Sequence, residues 1–177
     1  MYLNSMTIIN EVEIEWAKFN GSESDIVWSM LDQFRSVLLA KCRGLNEDQL
    51  KQRSAAPSSL SLLGLLRHMS GVEMYWFERY FQGLDARPLY ASRERPNDDF
   101  DDLDSATAAE VVEHFLSTCA QSRAICAGRS LDEPAVREWK GIQTNLRFIV
   151  VHMIEEYARH CGHADIIRER IDGFVGD

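Results

Sequence analysis

The sequence predicts an all-α protein, an antiparallel four-helix bundle built as one domain over residues 1–177. Apolar residues recur at helical spacing in four long segments. Glycine follows the first three of these segments closely, at Gly44, Gly83 and Gly128, where a helix commonly ends. A chain of this length buries roughly two-thirds of the surface that its unfolded form exposes, so it needs no disulfide bond to stay folded.

Four helices are expected over residues 22–41, 59–82, 105–127 and 144–171. Serine hydroxyls are favourable N-caps because they accept a hydrogen bond from the first turn. Ser22 or Ser24 is therefore expected to begin the first helix, Ser59 or Ser61 the second and Ser105 the third. At 1.5 Å per residue the fourth helix, with its apolar periodicity sustained throughout, would be roughly 42 Å long.

The connections are expected to be irregular. Residues 84–104 contain two prolines and an acidic cluster at 97–102, which we interpret as a solvated loop. The cluster is not expected to bind metal, because it lacks the glycine and closing glutamate of a calcium-binding loop. Residues 131–143 hold a proline and a glycine. Residues 7–14 have some β character and are expected to form a strand or a mobile end.

Charge and composition exclude several classes of partner. The net charge is −9, from 28 acidic and 19 basic residues, so phosphate backbones and anionic lipids would repel the chain. No segment approaches the roughly 20 apolar residues of a membrane span, and the first residues lack a signal-peptide pattern. The four cysteines form no C-x-x-C pair and are interpreted as reduced thiols. We expect a cytoplasmic protein that binds neither nucleic acid nor membrane.

A stripe of polar side chains follows the last predicted helix. His152, Glu156, His160 and His163 are separated by four, four and three residues, so they fall within roughly 80° around the helix. The stripe overlaps the apolar face, which points these groups towards the interior, where helix bundles build metal sites. An imidazole pair one turn apart suits zinc or nickel. Cys161 should point away from the stripe.

A third ligand must come from another helix, and His68 is the candidate. It lies in the middle of the second helix among apolar residues, where an imidazole needs a polar partner. Two alternatives stay open. His68 is also compatible with a hydrogen-bonded core histidine, and the stripe with a solvated face on which Glu156 and His160 form an ordinary pair. His152 is interpreted as a structural or supporting residue.

Two segments resemble a known family. Residues 58–68 read SSLSLLGLLRH and residues 72–77 read VEMYWF, similar to the second helix of the DinB-like (YfiT-like) metalloenzyme superfamily. Residues 151–169 read VHMIEEYARHCGHADIIRE, similar to its branch named domain of unknown function 664. The resemblance extends over about residues 25–173. The mycothiol-dependent maleylpyruvate isomerases are related to this family.

The resemblance implies a four-helix bundle, a homodimer and a divalent metal held by His68 and two groups of the last helix. In the family those two groups are typically four residues apart, whereas His160 and His163 are three apart. We take His68, His160 and His163 as the first ligand set and His68, Glu156 and His160 as the alternative. In the first set, Glu156 is free to act as general base or to orient an imidazole.

The resemblance also implies a function. A metal with three protein ligands keeps an open position, and characterised relatives use low-molecular-weight thiols. We therefore expect a thiol S-transferase or isomerase acting on a small molecule, with zinc or nickel and a thiol such as mycothiol or bacillithiol; a hydrolase is a near variant. The alternative is a non-catalytic metal-binding dimer that serves as a stress-response or interaction module. A third hypothesis is a bundle that holds an apolar ligand among its aromatic residues.

Overall fold

The computed structural model describes residues 9–87, 89–92 and 94–176, and within these ranges the chain is helical with no strand. The all-α class is confirmed. The β character expected at residues 7–14 lies partly outside the described residues, and none of residues 9–14 is in a strand. Among the described residues, no helix has the length and apolar character needed to cross a membrane.

Long helices carry most of the described chain, and two short helices lie in the connections. The elements are α1 Glu23–Ala40, α2 Glu47–Lys51, α3 Leu62–Glu73 with its π-helical continuation Met74–Phe81, α4 Asp98–Asp101, α5 Ala108–Cys126 and α6 Leu146–Asp172. The long helices begin and end close to the expected positions. The acidic cluster differs from the expectation, because it contains α4 rather than a solvated loop.

The capping residues explain where the helices begin. Ser22 and Ser61 accept hydrogen bonds from the first turns of α1 and α3, as the sequence predicted. The cap of α5 is Thr107, two residues after the expected one, because Glu110 completes a reciprocal capping box with it. Asn145 caps α6, and its side chain accepts a hydrogen bond from Phe148 N in the first turn.

The packing pairs α1 with α6 and α3 with α5, and α3 also contacts α6. One cluster of buried apolar side chains extends from Ile9 to Ile167 and receives residues from all four long helices. The short helix α4 packs on α3. The polar stripe of α6 and the middle of α3 are thereby brought next to each other.

A charged pair lies inside this core. The Nε and Nη2 atoms of Arg35 donate to the two carboxylate oxygens of Glu73, each at 2.7 Å, and Glu73 is fully buried. The hydroxyl of Tyr157 donates to Glu73 Oε1 at 2.9 Å. Burial alone would lower the pKa of Arg35, but the Glu73 carboxylate, together with weaker contributions from Cys119 and Tyr157, outweighs it and the net pKa is raised. The pair connects α1, α3 and α6 through hydrogen bonds.

Glu73 is also where the α-helix widens into the π-helix. The far end of that π segment is held by backbone bonds from residues 131–143: Val136 N donates to Phe81 O and Arg137 N to Tyr80 O, both at 3.0 Å. Residues 131–143, which were expected to be irregular, therefore supply hydrogen-bond donors to the last carbonyl groups of this helix.

Candidate metal centre

Helices α3 and α6 bring His68, Glu156 and His160 together. One ligand atom from each lies within 4.8 Å of the others. The rings of His68 and His160 have centroids 4.8 Å apart, and Glu156 Oε2 lies 3.6 Å from His160 Nε2. His160 is buried and the other two are half-buried. These are the three residues of the alternative ligand set.

His163 occupies the other side of the His160 ring. Its Nδ1 lies 3.3 Å from His160 Nδ1, whereas Glu156 faces His160 Nε2. Among the described residues, no three-donor group within 4.8 Å contains His163. Glu156 thus shares a group of three possible donors with His68 and His160, whereas His163 is a hydrogen-bonding partner of the His160 ring.

Asp99 orients His68 from a third element. Its Oδ2 lies 3.1 Å from His68 Nδ1, and the carboxyl is buried in α4. Phe100, the next residue, packs on the imidazole with ring centroids 5.3 Å apart. A carboxylate on the outer nitrogen of a metal-binding histidine fixes its tautomer and orientation. Sequence reasoning missed this role; the only signal was Phe100, an apolar residue inside the acidic cluster that indicates packing.

Gly64 explains how α4 comes so close to α3. A Cβ at this position would lie 2.8 Å from Phe100 Cδ1 and 3.3 Å from the backbone oxygen of Asp99. Any larger residue would push α4 outward. The glycine in the middle of the apolar run therefore permits the contact that delivers Asp99 to His68.

His152 supports the carboxylate without joining the group. Its Nε2 lies 3.6 Å from Glu156 Oε1 and its Nδ1 lies 3.1 Å from Glu155 Oε2. The ring stacks on Phe148 and meets the edge of Trp76. Possible ligand atoms of His152, Glu155 and Glu156 also lie within 4.8 Å of one another, but all three come from α6, and a single helix cannot surround an ion. The supporting role predicted for His152 agrees with this geometry.

The protonation states suit metal binding. Burial lowers the pKa of His160 to about 4, and the neighbouring rings of His68 and His163 add to the effect. At neutral pH this imidazole is therefore uncharged, which is the form that binds a metal.

The protein's own thiols are not nucleophiles at neutral pH. All four cysteines are buried and free, and burial raises the pKa of each to about 12. Cys161 lies against the backbone of α1, with Sγ 3.6 Å from Phe34 O, so it points away from the stripe as predicted. None of the four thiols therefore has the low pKa or the exposure of a reactive cysteine.

A cavity of about 290 Å³ is lined by two of the three residues, His68 and Glu156. Its lining consists of His68, Gly71, Val72, Tyr75, Trp76, Tyr90, Ala91, Asp99 and Glu156. Two candidate ligands and the orienting carboxylate thus face a space large enough for a small molecule.

The donor set fits a divalent metal. Two imidazoles and one carboxylate are the ligands of several catalytic zinc sites, in which a fourth position stays open for a small molecule. Here His68 and His160 supply the imidazoles, Glu156 supplies the carboxylate, and Asp99 and His163 contact the outer nitrogens. A small molecule in the adjoining cavity would lie next to two of these ligands, His68 and Glu156.

The family model described as MST, mycothiol-S-transferase, matches residues 27–173. The matched span contains every residue of the candidate site. No curated protein matches the chain.

Proposed function

The chain belongs to the mycothiol-S-transferase family, and we propose that it joins the sulfur of a low-molecular-weight thiol, such as mycothiol or bacillithiol, to an electrophilic small molecule with the help of one divalent metal. The observation that carries the proposal is the convergence of His68, Glu156 and His160 beside a cavity. The inert, buried cysteines support it, because they leave the reacting sulfur to a second molecule.

His68, Glu156 and His160 would hold the metal, with zinc or nickel suited to this donor set. When bound, the metal supplies a positive charge that lowers the pKa of a coordinating thiol and favours its thiolate. Asp99 keeps His68 in one tautomer, and the neutral His160 needs no deprotonation before it binds. His163 fixes the orientation of the His160 ring.

In the transfer, a bond forms between the thiol sulfur and the electrophilic carbon, the bond from that carbon to its leaving group breaks, and the thiol proton is released. With Glu156 as a ligand, the proton passes to solvent. With His163 as the third ligand instead, Glu156 is free to accept the proton. An isomerase differs only in that the sulfur adds to an unsaturated carbon and is later eliminated.

The test combines mycothiol with chlorodinitrobenzene and follows thioether formation by absorbance and mass spectrometry. We expect the wild-type protein to form the conjugate faster than the uncatalysed reaction, and the His68→Ala variant to lose both bound metal and this acceleration. Equal metal content in the two proteins would contradict the proposed site. Metal loss without any conjugation by the wild type would instead favour the non-catalytic metal-binding module.

The homodimer and the cytoplasmic location follow from the sequence and the resemblance and stay predictions. Size-exclusion chromatography with light scattering measures the first directly. A mass of one chain would contradict it.

A further inference from the structure

We infer that the cavity beside His68 binds the electrophilic acceptor, that this acceptor is a neutral aromatic molecule, and that Gly71 sets the size that the cavity admits. The role of the bound molecule as the acceptor of the thiol rests on the proposed function. The binding site itself rests on the lining of the cavity.

The cavity has two walls. On one wall His68, Gly71, Val72 and Tyr75 follow one another at helical spacing along α3 and the start of its π-helical continuation. The opposite wall is formed by Tyr90 and Ala91 from the connection before α4. Both walls are mainly apolar. The widening of the helix begins at Met74, next to the residues of this wall, and local π-helices are frequent at functional sites.

The aromatic side chains favour a flat ligand. Trp76 is packed between Tyr75 and His152, with ring centroids at 5.6 and 4.8 Å. Arg67 lies over the Tyr90 ring, 4.2 Å from its centroid, and holds this ring in the opposite wall. Trp76 itself is buried, whereas the rings of Tyr75 and Tyr90 are partly exposed. Because their neighbours fix them in place, these two rings offer preformed surfaces on which a planar molecule can stack.

The charges in the lining disfavour an anion. Among the described lining residues there is no lysine or arginine, whereas Asp99 and Glu156 contribute carboxylates. Arg67 is not in the lining and donates to the backbone carbonyl of Asp102. The two carboxylates balance the charge of the proposed divalent metal, so the site offers an anion no net positive charge. A carboxylate-bearing acceptor would find no lysine or arginine among the described lining residues to pair with, whereas a neutral one loses little on entering.

The volume limits the acceptor to a small molecule. An apolar cavity of about 150 Å³ is enough to hold benzene. The cavity beside His68 measures about 290 Å³, so it fits a molecule of one or two rings with small substituents.

Gly71 has no packing reason to be glycine. It lies inside α3, where glycine is less favourable than alanine, and a Cβ there would meet no atom of the described residues within 4 Å. Gly64 in the same helix differs, because its Cβ would collide with Phe100. The open space at Gly71 is the cavity itself, since Gly71 is part of the lining. Gly71 lies three residues after His68, one helical turn away, so a side chain at this position would fill the acceptor site next to His68.

The test measures binding rather than turnover. Dinitrobenzene, an unreactive neutral probe, is titrated into the purified full-length protein while quenching of tryptophan fluorescence is followed, with Trp76 in the cavity wall as a reporter. Dinitrobenzoate is the anionic counterpart. We expect dinitrobenzene to bind, dinitrobenzoate to bind at least tenfold more weakly, and Gly71→Leu to weaken dinitrobenzene binding at least tenfold at unchanged metal content.

Gly162→Leu is the matched control. Gly162 also lies inside a helix, and a Cβ there would meet no described atom within 4 Å, but it is exposed and not among the described lining residues, so this variant should bind like the wild type. Ala91→Phe fills the cavity from the opposite wall and gives the same test if Gly71→Leu fails to fold. Unweakened binding in the folded filling variants, or no binding by the wild type, overturns the inference. Probe binding without conjugation of mycothiol would contradict the proposed function while supporting the cavity as a binding site.

Discussion

The buried carboxylate of Asp99 determines which ring nitrogen of His68 is free to bind a metal, although Asp99 is not itself proposed as a ligand. Its 3.1 Å contact with Nδ1 leaves Nε2 of His68 as the nitrogen available to a metal. Asp101 lies on the same short helix but is exposed and faces Arg53 at 3.5 Å. The two aspartates therefore provide a matched comparison within one element.

We predict that Asp99→Asn weakens metal binding about 10–100-fold, because the ring loses the anionic partner that orients it. Asp101→Asn should leave the affinity unchanged. Isothermal titration of metal-free protein with zinc measures both. Equal affinity in the two variants would show that the Asp99 contact does not support a ligand.

The two ligand sets are separated by removing one side chain from each. We predict that Glu156→Ala abolishes stoichiometric metal binding, since Glu156 belongs to the group of three that lies within 4.8 Å. His163→Ala should keep the metal with an affinity reduced by no more than about 100-fold, the range for a supporting residue. Elemental analysis of the purified variants measures this. The reverse order would restore His163 as the third ligand.

Residue spacing predicted much of this site but not all of it. His160, Glu156 and His163 share one helix, so their relative positions follow from helical geometry. His68 could be named because an imidazole among apolar residues needs a partner. Asp99 is 31 residues from His68 in the chain, and only the tertiary contact between α3 and α4 brings it there. The choice between Glu156 and His163 likewise depends on ring orientations that spacing does not determine.

At the scale of elements, α3 contains two glycines with opposite roles. We predict that Gly71→Ala stabilises the protein by about 1 kcal/mol, because alanine is the better helix former and its Cβ enters open space. Gly64→Ala should destabilise it and also weaken metal binding, because its Cβ would displace Phe100 and with it Asp99. Urea unfolding of metal-saturated proteins measures the stability of each. Destabilisation by Gly71→Ala would contradict this, because it would mean that other atoms already fill the space beside Gly71.

The charged pair at the end of α3 is a second feature of this element. We predict that Glu73→Gln lowers the free energy of unfolding by about 3 kcal/mol, because the buried Arg35 loses its main counter-charge. The loss should stay at the low end of the range for buried pairs, since Asp32 remains 2.8 Å from Arg35. Glu47→Gln, in the exposed pair with Lys51, is the control and should cost less than about 1 kcal/mol. Similar losses in both variants would contradict a structural role for the buried pair.

The helices themselves were predictable because their signals are local. Apolar periodicity and capping residues act within one or two turns. The π-helical continuation Met74–Phe81 was not predicted, because it depends on distant contacts such as the bonds from residues 136 and 137 to its last turn. The short helix α4 was missed for a related reason: its acidic residues resemble a solvated loop unless Phe100 is seen to pack on His68.

At the scale of the whole molecule, a bound metal would connect α3 to α6 across the core. A ligand that binds only the folded state at 100 times its Kd adds about 2.7 kcal/mol to stability. For a chain of this size we predict a rise in Tm of roughly 5–10 °C on metal saturation. The His68→Ala variant should show no rise. Differential scanning calorimetry measures both, and an equal rise in the variant would place the metal elsewhere.

The central claim is that one divalent ion binds between α3 and α6 on His68, Glu156 and His160. The most direct measurement is anomalous X-ray diffraction from crystals of the zinc-loaded protein. The account predicts a single ion at about 2.0–2.2 Å from a nitrogen of each imidazole and an oxygen of the carboxylate, with its remaining position open to the cavity. An ion bound by His160 and His163 without His68, or no ion between these helices, would contradict it.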